Sequence, residues 1–391
     1  MAASILGFLL GALTMGLLIL VAGMLAYQAI RAYWGLRVPA RAAGSERVSF
    51  GVLVPAHNEE SAIGALIESL QGVRYPEGLL HVLFVADHCD DRTVARIRAS
   101  GFECLDRQEG PRGKPASLAE GLDWLAERHG DKLDAVAFFD ADNIVDPEFF
   151  HQAAAALDAG HPVVQGHVGV QNWNATVFSR LNYMNAVVEN RLEELARSQS
   201  GLSCNLRGHG MVFRRDVLQL VPWQSKSMVE DQDMLVRLVL NGFRVFWAEH
   251  ARVRSVLPET TKDAAAQRRR WAGGRSTIMG EAVRTLFGKW RVDGDRVALH
   301  LMVDFLLPSH AVQLCLAFIA VPMAAAVFGP YSGQCILALS LVFLYFLYFV
   351  VGNWLGGVPM RTFLTVVVAP GYILWRTWIY LTSLRGTTRW R

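Results

Sequence analysis

Hydrophobic positions are unevenly spread along this chain. Residues 1–30 carry no charged side chain, and an apolar run longer than about 18 residues can cross a bilayer as a helix. From 48 to 257 the pattern changes to short apolar, β-branched runs alternating with helical periodicity, as in a soluble α/β domain. Buried parallel strands are predicted at 48–54, 81–86 and 135–139, with helices at 61–71, 91–100 and 115–128. Beyond Gln267, the residues Ile278, Met279, Ala282, Val283, Leu286, Phe287 and Trp290 share one helical face, with Arg284, Lys289 and Arg291 elsewhere. A basic amphipathic helix of this kind is suited to the membrane interface; packing on the soluble domain is the plainer alternative. Two more spans are predicted at 311–328 and 334–354, joined by an uncharged turn at 329–332. The stretch 363–384 is interrupted by Pro370, Gly371 and Arg376, which favours a broken, re-entrant or interfacial segment followed by a cytosolic basic tail. The divisions are an anchor at 1–30, a catalytic domain at 46–257, a linking and interfacial region at 258–300, and membrane or interfacial helices at 301–391.

Charge refines the topology more than it identifies a partner. Net charge is +3 over 391 residues, so nucleic acid is not implied. Arg31, Arg37, Arg41 and Arg47 follow the first apolar run. They favour a retained anchor over a cleaved leader and place the next domain in the cytosol. The surplus of basic residues beside apolar segments suits contact with membrane lipids. Cys89, Cys104, Cys204, Cys315 and Cys335 show no CxxC spacing, which argues against a disulfide scaffold or a zinc site.

Four signatures stand in a fixed order: ValAlaAspHisCysAsp from Val85, AspAlaAspAsn from Asp140, GluAspGlnAsp from Glu230 and GlnArgArgArgTrp from Gln267. Each has an ordinary reading as a cap, a solvated turn, a first-turn acid or a basic patch. His57, Asn58, Asp87 and Asp140 all follow predicted strand ends, where open parallel sheets collect ligands. Pro55 and Asn58 make a turn after the first strand. Asp140 and Asp142 are two residues apart and face the same way if extended, a hard-oxygen pair suited to Mg²⁺ or Mn²⁺ on a diphosphate. Lys114 lies in GlyProArgGlyLysPro, which lacks the phosphate-loop spacing but can meet an anion at a helix start.

Taken together, the four signatures resemble those of membrane-bound family 2 glycosyltransferases, the group containing cellulose, chitin and hyaluronan synthases. The resemblance implies a GT-A-type α/β domain, with a Rossmann-like mixed sheet and transmembrane helices at both ends. It implies that Asp87 contacts the nucleotide base, that Asp140 and Asp142 hold the diphosphate and metal, and that Asp231 is the general base. Pro55, Asn58, Glu59 and Lys114 fall on the donor side with Gln267, Arg270 and Trp271; Gly208, His209 and Glu230 fall on the acceptor side. His209 departs from the small or hydroxyl residue expected in that glycine-rich segment. Asp231 is expected to stay ionised near neutral pH in a polar, cation-lined site.

The implied reaction is inverting transfer from a nucleotide-diphosphate sugar, a UDP-sugar by expectation. The acceptor would be a lipid, lipid-linked or saccharide group at the cytosolic face of a bacterial inner or plasma membrane, and an oligomer is open. A processive polysaccharide synthase is the alternative within the class, although polymer synthases generally carry more spans. A non-catalytic nucleotide-sugar-binding scaffold or transporter is the alternative outside it.

Overall fold

The computed structural model describes residues 2–224, 229–258 and 260–383. Eight strands form one mixed sheet: β1 Phe50–Ala56, β2 Leu80–Asp87, β3 Glu103–Arg107, β4 Ala135–Phe138, β5 Ile144–Val145, β6 Val163–Val170, β7 Met211–Arg214 and β8 Val245–Ser255, ordered β3-β2-β1-β4-β7-β6-β8-β5. The β3-β2-β1-β4 half is parallel, β7 is antiparallel to both β4 and β6, β6 runs parallel to β8, and β5 is antiparallel to β8. Phe50, Val52, Leu53 and Val54 of β1 are completely buried, as expected of a parallel strand covered on both faces. The register pairs Ala56 with Ala86 and Leu53 with Phe138. The carboxyl ends of β1, β2 and β4 therefore open onto one crevice.

Helices cover both faces. Ile63–Gln71 and Phe149–Asp158 pack on one side through Ile63, Leu66, Phe149 and Ala153, while Lys114–His129 and Glu230–Leu240 pack on the other through Leu118, Leu125, Met234 and Leu238. A 33-residue helix, Thr261–Asp293, follows the sheet; Thr260 caps its start and left-handed Gly294 ends it. The interfacial reading of its apolar face is corrected here. Ala282 and Leu286 are buried, and Ile278, Met279 and Val283 pack on the same core beside Val297, Leu301 and Phe305 of the helix Arg296–Leu306. A covered core face lowers free energy wherever it is buried, and here the soluble domain supplies the cover. Phe287 and Trp290 alone of that face are exposed.

Among the described residues, four helical segments are long and apolar enough to cross a membrane: Ile5–Leu36, His310–Phe328, Gly333–Leu355 and Met360–Ser383. Ala317, Ala320 and Ala324 pack against Leu18, Val21 and Leu25 of the first, since small side chains let helices approach closely. Gln313 accepts hydrogen bonds from Gln28 at 2.7 Å and Tyr345 at 2.9 Å, tying three of the segments together. In the last segment the helix type changes before the residues expected to interrupt it: a 3₁₀ stretch, Met360–Val368, gives way to the helix Ala369–Ser383, which contains Pro370, Gly371 and Arg376 without a break. Pro370 sits there in the first helical turn, where its missing N–H does least harm. The basic tail at 385–391 lies outside the described residues.

Where the apolar segments meet the sheet domain, a cluster of buried charges crosses the junction. Arg31 pairs with Asp304 at 3.1 Å, Arg197 pairs with Glu194 at 2.9 Å and with Asp304, and Arg207 reaches Glu194 at 3.2 Å. Arg275 donates to the Asp304 carbonyl at 2.5 Å. Glu194 closes a π-helical turn, Glu189–Glu194, a local widening often retained for function. Arg31, one of the four arginines that follow the first apolar run, is therefore a paired interior group. Burial alone would raise the Asp304 carboxyl, but Arg197, His300 and Arg31 hold it below the usual carboxylate range. That stabilisation is present at neutral pH and is lost only as the pH falls through the depressed value. Asp304→Ala should leave Arg31 and Arg197 buried without their shared partner and cost about 3 kcal/mol. Denaturant midpoints would test this; an unchanged midpoint would show that water replaces the carboxylate.

Candidate active site

Asp87 ends β2, and its carboxylate is already fully engaged. Arg107 Nη1 donates to one oxygen at 2.5 Å, the Gly113 N–H donates to the other at 2.7 Å, and His88 Nδ1 lies 2.8 Å away. Burial opposes ionisation, but the Gly113, His88 and Arg107 hydrogen bonds prevail and lower its pKa. Asp87 thus fixes the loop that leads into Lys114. Pro55 lies within β1, and Asn58 takes a left-handed conformation, φ 54°, with its side-chain oxygen accepting the Asp90 N–H at 3.0 Å. The Glu59 N–H donates to Thr93 Oγ1 at 2.8 Å. Arg107, which register places opposite Asp87, was missed from the sequence because β3 was missed.

Lys114 begins its helix after Gly113, whose φ of 117° favours glycine. Its Nζ donates to Asp140 Oδ1 at 2.5 Å and to the Gly208 carbonyl at 3.0 Å, and lies 3.6 Å from Glu230 Oε1. Burial would lower its pKa, but Asp140 and Glu230 raise it, so the ammonium stays charged. Asp140 is correspondingly held low against the effect of burial, chiefly by Lys114. Asp142 behaves oppositely: burial and the neighbouring Asp140 push it up to about 6. Glu59 is raised by burial and then by Asp142 and Asp140, so three carboxylates share one field. Asn143 braces the pair, accepting the Asp140 N–H at 3.0 Å and donating to Asp142 Oδ1 at 3.0 Å.

The donor set fits a hard divalent cation. Among the described residues no three His, Cys, Asp or Glu side chains are arranged to enclose a metal ion. Mg²⁺ and Mn²⁺ sites serving phosphate chemistry typically use one or two carboxylates and complete their shell with phosphate oxygens and water. Two mutually repelling carboxylates, Asp140 and Asp142, match that need.

Across the crevice, Gly208 and Gly210 adopt φ of 78° and 63° around His209. His209 Nδ1 lies 3.6 Å from Asp140 Oδ2, and neither ring nitrogen has a hydrogen-bond partner. Burial lowers its pKa to about 4, so the ring is neutral. A Cβ on Gly208 would stand 3.5 Å from Lys114 Nζ and 3.7 Å from Asp231 Oδ2; the bare glycine keeps that gap open. Asp231, in the first turn of Glu230–Leu240, accepts the Gln232 N–H at 2.8 Å. The expectation that it stays ionised needs correction. Burial, then the Glu230 charge, push its pKa up to about 7.

Gln267, Arg270 and Trp271 lie on the Thr261–Asp293 helix, where Arg270 and Trp271 are exposed and the Arg270 charge helps to lower Asp140. Gly274 lets this helix pack directly on Val229, beside Glu230 and Asp231. Gln267 and Trp271 make no side-chain hydrogen bond among the described residues. Arg268 within this basic run and Arg275 one turn beyond it are instead the engaged arginines.

Comparison with known proteins places these features in context. A family profile described as "Glycosyltransferase like family 2" matches residues 47–274. Glucomannan 4-beta-mannosyltransferase 7 of Arabidopsis thaliana is 25% identical over 263 residues, 61% of this chain and 46% of its own length. The probable glycosyltransferase YdaM of Bacillus subtilis (strain 168) is 25% identical over 238 residues, 58% of this chain and 55% of its own. The chain thus spans about half the length of the curated relatives it matches. Among solved structures, the mannosyltransferase PcManGT from Pyrobaculum calidifontis, in complex with GDP-Man and Mn²⁺, aligns with a TM-score of 0.62 at 18% identity, over 95% of this chain and 99% of that one. The mixed sheet is of the GT-A type, with candidate membrane helices at both ends.

Proposed function

The chain belongs to the family 2 glycosyltransferases, and from that membership we propose that it moves a sugar, with inversion, from a nucleotide-diphosphate donor to a hydroxyl of a lipid-linked or saccharide acceptor. The observation that carries this reading is Asp231, a carboxyl raised to about 7 and facing the Lys114–Asp140 pair across the gap at Gly208. A base works best with a pKa near the working pH. In one displacement, the acceptor hydroxyl passes its proton to Asp231 as its oxygen attacks the anomeric carbon and the nucleotide diphosphate departs. Lys114 and Arg270 supply positive charge on the leaving-group side, and the neutral ring of His209 lines the acceptor side. Asp140 and Asp142 would hold Mg²⁺ or Mn²⁺, which neutralises the departing diphosphate when bound. Retention of Asp140, Asp142 and Asp231 together disfavours a non-catalytic scaffold or transporter.

A UDP-sugar is the donor expected from the sequence; the mannosyltransferase relatives and the GDP-Man-bound neighbour favour GDP-mannose as a second reading. The apolar segments support integral membrane placement, and the arginines beyond Arg31 support a cytosolic catalytic domain at a bacterial inner or plasma membrane. Enclosing a polar polymer needs a continuous protein wall, and the four segments among the described residues favour addition of one or a few sugars over processive synthesis. An oligomer would supply more wall. Purified protein in lipid, given a panel of UDP- and GDP-sugars, should release nucleotide diphosphate from one donor class; release from none would overturn the assignment. Product masses then decide chain length, with a long ladder favouring a processive synthase.

A further inference from the structure

The helix Thr261–Asp293 and the last apolar segment bring two arginines onto one aromatic platform. Arg268 Nη2 donates to the Tyr372 hydroxyl at 3.2 Å and to Asn182 Oδ1, which also accepts from Tyr372 at 2.5 Å. The Arg268 guanidinium lies 5.9 Å from the centre of the Trp375 ring, and that of Arg376 lies 5.7 Å from the centre of the Tyr372 ring. Tyr372 and Trp375 stack with centroids 5.9 Å apart, and Phe178 stands edge-on to both.

Neither cation is neutralised by this arrangement. Among the described residues no carboxylate forms an ion pair with Arg268 or Arg376, and residues 384–391 contain no Asp or Glu. Glu189 is the acid whose field reaches Arg268, but it is engaged by Arg207 at 3.4 Å and by Asn185 at 2.5 Å. Burial, then repulsion from Arg376, lower the Arg268 pKa to about 10. A guanidinium has five N–H donors, and the two neutral oxygens at Arg268 leave most of them unused. An unpaired Arg in a segment of membrane-spanning length is costly and marks a functional site by default. Two guanidinium groups match the geometry of a phosphate.

We propose that Arg268 and Arg376 form a binding site for the phosphate of a membrane lipid. The lipid origin follows from the site's placement: Arg376 lies within Met360–Ser383, a segment long and apolar enough to cross a membrane, whose opposite face exposes Leu374, Trp378 and Leu381. The site also adjoins the catalytic crevice. Arg268 is three residues from Trp271, a rise of about 4.5 Å along the helix. Resting on the proposed transfer to a lipid-linked acceptor, this site is the anchor that presents that acceptor beside Arg270 and Trp271.

The test reads lipid occupancy without any donor sugar, so it fails or succeeds separately from the transfer assay. The full chain in phosphatidylcholine nanodiscs would be titrated with photoreactive phosphatidic acid and the adducts counted by mass spectrometry. Saturable labelling that survives excess inorganic phosphate is expected, weakened at least about ten-fold in Arg376→Gln and in Arg268→Gln. Arg376→Lys should recover part of it. Arg376 makes no side-chain hydrogen bond among the described residues, so its replacement removes its contact with the Tyr372 ring but none of the hydrogen bonds joining Arg268, Asn182 and Tyr372. Affinity for nucleotide diphosphate should stay within about two-fold of the parent, since phosphate contacts at a separate site contribute independently. Labelling of both Gln variants at the parent's level, or displacement of the lipid by inorganic phosphate, would overturn the proposal.

Discussion

Replacing Asp231 with Asn should lower kcat by roughly 10² to 10⁴-fold, the usual share of a general base, while making the folded protein more stable. The two effects share one cause. Burial and the Glu230 charge push the Asp231 carboxyl up to about 7, so the native state resists its ionisation. An unfolded Asp titrates near 3.9, roughly. As pH rises above that value, the unfolded chain releases the proton while the folded protein still binds it, so this position lowers stability progressively until about pH 7. At about 1.4 kcal/mol per pKa unit, the penalty is on the order of 2–4 kcal/mol. Asn removes the titration and keeps the shape. The stability gain should therefore be small near pH 4 and largest above pH 7. Parent turnover should rise with pH below about 7 and then level off. Undiminished turnover in the Asn variant would reject Asp231 as the base. Lost turnover with no gain in stability at pH 8 would show that its carboxyl is not destabilised by burial.

That prediction depends on surroundings which local sequence pattern does not report. Strands β1, β2 and β4 were legible because burial on both faces leaves an uninterrupted apolar run, as in Phe50–Ala56. Strand β3 reads GluCysLeuAspArg and lies at the sheet edge, so charge interrupts the signal that would have revealed Arg107. Strands β6 and β8 carry His167, Arg252 and Arg254 within their paired register, and were missed for the same reason. In the site, Asp87, Asp140, Asp142 and Asp231 were marked by their motifs, yet their different ionisation comes from contacts across the fold. Lys114 lies 26 residues from its Asp140 partner. The separation is greater at the junction, where Arg31 and Asp304 are 273 residues apart. An arginine after an apolar run looks topogenic until its distant carboxylate is in place. The amphipathic stretch 278–290 shows a related limit, because periodicity reports an apolar face without reporting what covers it.

Removing the divalent cation should lower turnover by about a thousand-fold, consistent with several kcal/mol of charge stabilisation on a departing diphosphate. Asp142→Ala should abolish the cation's effect. The argument rests on the unequal carboxylates. Asp140 is held low by Lys114 against the effect of burial, whereas burial and Asp140 itself push Asp142 up to about 6. With no cation bound, Asp142 is therefore substantially protonated in mildly acidic solution. Cation binding needs its ionised form, so affinity should strengthen as pH rises through about 6 and binding below that pH should release a proton. Calorimetry of Mn²⁺ with nucleotide diphosphate, run in buffers of different ionisation enthalpy, would measure that proton. Melting temperature gives a second readout independent of turnover, because a ligand that binds only the native state raises it. The parent should be stabilised by Mn²⁺ with nucleotide diphosphate, and Asp142→Ala by nucleotide diphosphate alone or not at all. Asp142→Asn keeps oxygen at the position while removing the charge; it should recover less than a tenth of the parent response if charge is what the site supplies. Full turnover in excess chelator would leave Lys114 and Arg270 to bear the diphosphate charge, and an Mn²⁺-dependent melting shift preserved in Asp142→Ala would remove Asp142 from the cation site.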